Sequence, residues 1–154
     1  MALSDDDIRR MLASKKGAPP SAQLLGFELL DYSIDDGWTE VAFTGKPEFG
    51  NPMGMLQGGF VAAMLDDAMG FTAFLASRFS KIVPTLQMTV MFLKPTPIGR
   101  VLARGEVLRL SNATAQLAGT LRLADGTVLA TATATAAVRD YPQARDGAKP
   151  ARKT

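Results

Sequence analysis

Neither cysteine nor histidine occurs anywhere in this 154-residue chain. The first absence rules out a disulfide framework, and the two together rule out thiolate and imidazole zinc sites. Ser-His-Asp and Cys-His nucleophile systems fall with them, because their general base is missing. Proton transfer near neutral pH is therefore left to carboxylates, lysine, tyrosine or bound water. An excess of one charge is lacking too. With 17 basic and 15 acidic side chains the formal net charge is +2, which points to no nucleic-acid partner. The N-terminus, Met1-Ala2-Leu3-Ser4-Asp5-Asp6-Asp7, is acidic and has no apolar signal core, so a cytoplasmic protein is expected. The length suits one domain with enough chain to bury a core.

What is present divides into three parts. Residues 1–23 read as an N-terminal helix and linker: Ser4 precedes a run of acids and then Ile8, Met11 and Leu12, while Gly17, Pro19 and Pro20 break the pattern. Residues 24–140 read as the main domain. Residues 141–154 form a basic tail with Arg145, Lys149, Arg152 and Lys153 among Pro, Gly and Ala, expected to be solvated and flexible. Within the domain, Leu24–Ser33 and Trp38–Thr44 are expected strands joined at Asp35-Asp36-Gly37. A Gly- and Pro-rich loop, Pro47 to Gly54, then leads into a helix from Gly58 to Ala76. Four further strands are expected over Thr85–Leu93, Val101–Leu110, Ala113–Leu123 and Thr127–Val138. In the last, Thr131, Thr133 and Thr135 alternate with Ala132, Ala134 and Ala136, giving one face small enough for close packing. The fold class is α+β, with a curved antiparallel sheet wrapped around one long helix.

The central helix carries the chemistry. It is apolar almost all round, with Thr72 and the adjacent Asp66 and Asp67 as exceptions, besides its glycines. A helix of that kind is usually buried, and a buried carboxylate is costly unless paired or used. A membrane span is the rival reading, but two aspartates near its middle would each cost about 2.5–3.5 kcal/mol on insertion scales. Gly58 and Gly59 open the helix, so backbone N–H groups there can approach a bound oxygen directly. Oxyanion donors and an acid on one helix suit acyl transfer. Met53, Met55, Met64, Met69, Met88 and Met91, with Phe60, Phe71, Phe74 and Phe92, offer adaptable apolar lining, most of it ordinary core.

Asn51, Gly54, Gln57-Gly58-Gly59 and Asp66, followed by Thr85 on a strand ending at Lys94-Pro95, resemble the hotdog-fold acyl-CoA thioesterases, in particular the phenylacetate-degradation branch. The resemblance spans roughly residues 24–138. The family pattern is an Asn, five residues, His-Gly-Gly, and an Asp eight positions after the first glycine. Asn51, Gly58 and Asp66 stand at those positions, and Gln57 replaces the His.

The resemblance implies hydrolysis of acyl-CoA thioesters without a metal or other cofactor, CoA being part of the substrate. Asp66 would be general base or nucleophile, or else an acid satisfied by neighbouring hydroxyls; the Gly58 N–H would meet the thioester oxygen, aided by the helix dipole, while the glycines can also serve tight packing. Gln57 keeps a donor where His stands but cannot change charge. Asn51 would hold water or the carbonyl, or else stabilise its loop. Thr85 would bond Asp66 or the water, and Asp67, 100° round the helix, would serve an interface or a cap. For the CoA phosphates the resemblance points to Arg109, Ser111 and Asn112. Gly58 and Asp66 lie about 12 Å apart along the helix axis, too far to serve one carbonyl from one chain. Two antiparallel helices across a two-fold axis can bring them together, which agrees with the homodimer or dimer-of-dimers tetramer that the resemblance implies. A hydratase of this fold would need a catalytic His. A catalytically inactive acyl-CoA-binding hotdog protein remains the alternative, because Gln57 departs from the pattern; a ligand-sensing regulator would need an attached module for which the first twenty residues are too short.

Overall fold

The computed structural model describes residues 4–14 and 18–141, so the expected tail lies, Tyr141 apart, outside the described residues. Helix α1 (Asp5–Ser14) starts as its sequence suggests: the Ser4 hydroxyl donates to Asp7 Oδ2 at 2.5 Å, and its oxygen accepts from the Asp7 N–H at 3.3 Å. Its Ile8 is fully buried against Leu75 and Phe79, which docks α1 at the far end of the central helix.

The expected first strand divides in two. Pro20–Leu25 is a short helix, α2, with Pro20 in its first turn and Gly26 in the left-handed region (φ 67°) as its C-terminal stop. Strand β1 begins only at Glu28 and runs Glu28–Ser33. Proline at a helix start and glycine just past its end is a helix signature that outweighs the apolar run Leu24–Leu25. The other strands follow their expected spans within two residues: β2 (Trp38–Gly45), β4 (Thr85–Phe92), β5 (Gly99–Leu110), β6 (Thr114–Arg122) and β7 (Val128–Ala137). Two additions are a 3-10 turn over Pro47–Phe49 and a two-residue ladder between β3 (Lys81–Ile82) and β8 (Arg139–Asp140).

One antiparallel sheet of six strands, in the order β1-β2-β5-β6-β7-β4, packs on helix α3 (Gly58–Ala76). This is the hotdog architecture. The period-two pattern in β7 faces as expected: Ala132, Ala134 and Ala136 are buried, while Thr131 and Thr135 are half-buried and Thr133 exposed on the other face. The sheet does not wrap α3 all round. Val61, Met64, Leu65, Ala68, Met69, Thr72, Ala73 and Leu75 are buried, whereas Gly59 and Ala63 are exposed and Asp66, Asp67 and Gly70 half-buried. α3 is long and apolar enough to cross a membrane, but its buried residues belong to this core.

Close approach of α3 to the sheet depends on glycine in β5. A Cβ at Gly105 would stand 2.2 Å from Thr72 Oγ1 and 2.6 Å from the Ala68 carbonyl oxygen. Those atoms are themselves locked, since the Thr72 hydroxyl donates to Ala68 O at 2.7 Å and lies 2.6 Å from the buried Thr39 hydroxyl. Gly105→Ala should therefore destabilise the protein by roughly 2–3 kcal/mol, the upper range for overpacking. Thermal unfolding should show Tm lowered by roughly 4–12 °C. A variant with unchanged Tm would mean that α3 is free to lift from the sheet.

Candidate active site

The first turn of α3 is organised by one residue. A helix start leaves four N–H groups without intrahelical partners. Here the main-chain carbonyl of Gln57 accepts from Phe60 N–H at 3.0 Å and from Val61 N–H at 3.3 Å, and its side-chain Oε1 accepts from Gly59 N–H at 2.7 Å. Among the described residues, that leaves the Gly58 N–H as the free donor of this terminus. The two glycines answer different demands. A side chain at Gly59 would begin 2.7 Å from Gln57 Oε1, and one at Gly58 would begin 3.2 Å from Cζ of Phe92. Gly58 also borders a cavity of about 300 Å³ lined by Leu56, Val61, Phe92 and the segment 93–96.

The loop ahead of the helix is tied down by Asn51. Its Oδ1 accepts from Met53 N–H at 2.9 Å and Met55 N–H at 3.1 Å, and its own N–H donates to Met55 O at 2.7 Å. This is the loop-stabilising role weighed for Asn51, and it leaves only the side-chain NH₂ to face a ligand. Leu56 N–H to Thr96 O (2.8 Å) and Gln57 N–H to Phe49 O (2.9 Å) fasten the loop to both flanks, and Phe49 stacks on Phe60 at 4.2 Å.

Asp66 lies two turns further on. Its Oδ1 accepts from the Thr85 hydroxyl at 2.7 Å, the first of the two partners that the resemblance implied for Thr85. Thr85 opens β4 opposite Ala136 of β7, which in turn faces Ala115 of β6. The β5–β6 turn therefore sits at the Asp66 end of the sheet, away from Gly58. In that turn Ser111 is used internally. Its hydroxyl donates to Thr114 O at 2.8 Å and accepts from Thr114 N–H at 3.1 Å, while its N–H donates to Thr114 O at 3.0 Å. The turn offers a phosphate fewer amides than expected; Arg109 and Asn112 are exposed beside it.

The candidate residues thus fall into two groups at opposite ends of α3. Asp66, Thr85, Arg109 and Asn112 lie at one end, and Asn51, Gln57, Gly58 and the cavity at the other. The sequence reading did not single out the segment 93–96 as cavity wall, nor Gln57 as helix cap. The second had a signal, a polar side chain followed two residues later by a glycine without Cβ.

Asp67 has a different environment from Asp66. Its Oδ2 is buried with no hydrogen-bond partner among the described residues. Burial, and then the neighbouring Asp66 charge, push its carboxyl above the usual range. A raised acid pKa in the folded state means that the fold holds this proton more tightly than the unfolded chain. Asp67 therefore favours folding below the unfolded value of about 3.9 and loses that contribution as pH rises through the folded value. Asp67→Asn should be more stable than the parent at neutral pH, with the gain vanishing near pH 4. Melting curves across that range test it, and a variant less stable at pH 7 would mean that the carboxylate has a partner.

Comparison with known proteins identifies the family. The family model of the Thioesterase superfamily matches residues 53–130, which span all of α3 and strands β4 to β6. A phenylacetic acid degradation-related protein of Ralstonia eutropha is 30% identical, with 84% of this chain covering 97% of that one at a TM-score of 0.78. A thioesterase family protein of Silicibacter pomeroyi is 25% identical over 88% of this chain and 98% of its own, with a TM-score of 0.73. A Streptococcus mutans protein solved with acetyl CoA shares the fold at 20% identity, 76% and 91% coverage and a TM-score of 0.67. Comparison with curated protein sequences gives no match. By family match, by fold and by the placing of Gly58 and Asp66 on one helix, this chain belongs to the thioesterase superfamily, similar to its phenylacetate-degradation-related members.

Proposed function

We propose that this protein hydrolyses acyl-CoA thioesters at a site shared by two copies of the chain. The observation that carries the reading is the Asp66–Thr85 hydrogen bond, which holds the carboxylate through Oδ1 and leaves Oδ2 without a partner among the described residues. Asp66 acts as general base, taking a proton from the water that adds to the thioester carbonyl, or attacks the carbonyl itself and is released by water. Negative charge gathers on the carbonyl oxygen, where the Gly58 N–H and the positive end of α3 meet it. Collapse breaks the C–S bond, and the CoA thiolate leaves and takes up the proton. No metal is required at any step.

The two groups must come from different subunits. Eight residues of helix separate them by about 12 Å, whereas one carbonyl needs both within about 3 Å. Supporting this, the outer face of α3 is uncovered, and β4 is an edge strand whose neighbourhood leaves Leu86, Met91, Phe92 and Leu93 between 50% and 66% exposed. Pairing β4 with its copy would set two α3 helices antiparallel, Gly58 facing Asp66 of the partner subunit. The cavity beside Gly58 would take the acyl group. Acetyl CoA in the Streptococcus mutans relative supports the CoA thioester as ligand class. Arg109 would reach the phosphates.

Asp66→Asn should lower kcat by about 10²–10⁴-fold if Asp66 is the base, and by more if it is the nucleophile, with acyl-CoA binding retained. Near-parental turnover in the folded variant would overturn the assignment. Mixed dimers test the sharing. Asp66→Asn subunits combined with Gly58→Val subunits should regain activity, because some hybrids hold one intact site. Heterodimers that form and stay inactive would count against the shared site.

A further inference from the structure

The cap on α3 has a chemical consequence. Gln57 has withdrawn the Gly59 N–H, and its main-chain carbonyl has withdrawn those of Phe60 and Val61, so the helix terminus offers one free amide, that of Gly58. A single donor is a thin site for a developing oxyanion. The same cap fixes the carboxamide that supplies it: with Oε1 held by the Gly59 N–H, Nε2 is the end left free, and neither of its hydrogens has an acceptor among the described residues. The direction of the amide is set as well. Oε1, Cδ and Nε2 lie 2.7, 3.6 and 3.6 Å from where a Gly59 side chain would begin. Gly59 and Asp66 are seven residues apart, so they point from α3 within about 20° of each other. The carboxamide, beside Gly59, therefore lies over the Asp66 face of the helix, and Gly59 stands about 10.5 Å along the axis from Asp66 of its own chain. In the antiparallel pair proposed above, on which this inference rests, that is where the reacting carbonyl and Asp66 of the partner subunit meet.

We propose that the Gln57 side-chain NH₂ is the second oxyanion donor of this site, and that Gly59 is the positioning residue that makes it so. The carbonyl end of the carboxamide caps the helix, the amide end binds the thioester oxygen, and the bare Gly59 leaves room for the cap. The donor carries no titrating proton, so it serves the oxyanion at any pH where the protein is folded. Any alanine at 59 would take the space of Oε1, break the cap and release the carboxamide to rotate.

Three variants separate the cap from the donor. In Gln57→Ser a neutral, favourable cap remains but the amide is gone. Its Tm should stay close to that of the parent while kcat falls about 10²–10³-fold, the usual cost of one lost oxyanion donor. Gln57→Glu also keeps the cap and should lose at least as much. Gly59→Ala keeps the amide but not its position, and should lower kcat with KM little changed. The direct readout is the carbonyl stretch of a bound acyl-CoA analogue in which methylene replaces the thioester sulfur. It should lie at lower frequency in the parent and in Asp66→Asn than in Gln57→Ser. An equal stretch in all three, or kcat for Gln57→Ser within a few-fold of the parent, overturns the proposal. If Asp66→Asn loses turnover in the same experiment, hydrolysis through Asp66 stands and only the role of Gln57 falls. If Asp66→Asn keeps turnover while the stretch still shifts, the donor stands and the Asp66 assignment falls.

Discussion

The contact between α3 and the middle of the sheet fixes every functional distance in this protein. Where the helix crosses β5 there is no room for a side chain at Gly105, and where it crosses β6 a Cβ at Gly119 would come within 3.1–3.3 Å of Met69 and Leu65. Alanines on β7 continue the same low surface. A helix seated this deeply cannot shift along its axis without moving bulky residues over the glycines. The depth sets how far Asp66 stands from Thr85 at one sheet edge and how closely Gly58 meets Phe92 near the cavity. It also brings the Thr72 hydroxyl into the core, where Thr39 and the Ala68 carbonyl satisfy it.

Much of this was legible in the sequence, for identifiable reasons. The bounds of α3 follow from a long apolar run that begins at paired glycines, and the strand pattern follows from period-two alternation closed by strong turns. The meeting of Asp66 and Thr85 was expected only through the resemblance, which names both residues and left Asp66 or the water as the partner of Thr85. What was not legible depended on contacts between segments. The Pro20–Leu25 helix carries its own start and stop signals, but the apolar Leu24–Leu25 continues smoothly into β1 and hid them. The β3–β8 ladder joins residues nearly sixty positions apart and has no local pattern. The sheet over α3 was expected, but which face of the helix it leaves open was not legible, because an apolar helix reveals that it is covered, not by what. The bonds that Ser111 makes to the Thr114 backbone close the β5–β6 turn and have no signature in the residue types alone.

Asp66 and Asp67 show how one helix gives adjacent carboxylates different fates. Successive residues diverge by 100°, so the two see different surroundings. Asp66 turns toward β4 and finds a hydroxyl donor. Asp67 falls near the angle of Phe60 and Phe74, seven residues before and after it, and has a buried oxygen without a donor. Desolvation acts on the second, and the charge of the first adds to it. The same stretch of α3 thus holds one carboxylate with a hydroxyl donor and one whose burial disfavours its charged form.

The protomer leaves three things open: the outer face of α3, the edge of β4 with its exposed apolar side chains, and the gap between Gly58 and Asp66. Each alone has ordinary explanations, since exposed apolar residues and edge strands are common. Their arrangement is less ordinary. The uncovered face of α3 is the face that carries Asp66 and the Gln57 carboxamide, and the edge strand beside it is the one that carries both Thr85 and Phe92. Under the proposed two-fold axis, one operation pairs the edges, covers the helix face and closes the gap in a single step. On that proposal assembly and chemistry are inseparable: a chain that lost its β4 edge would lose not only a partner but also the second half of each proposed site.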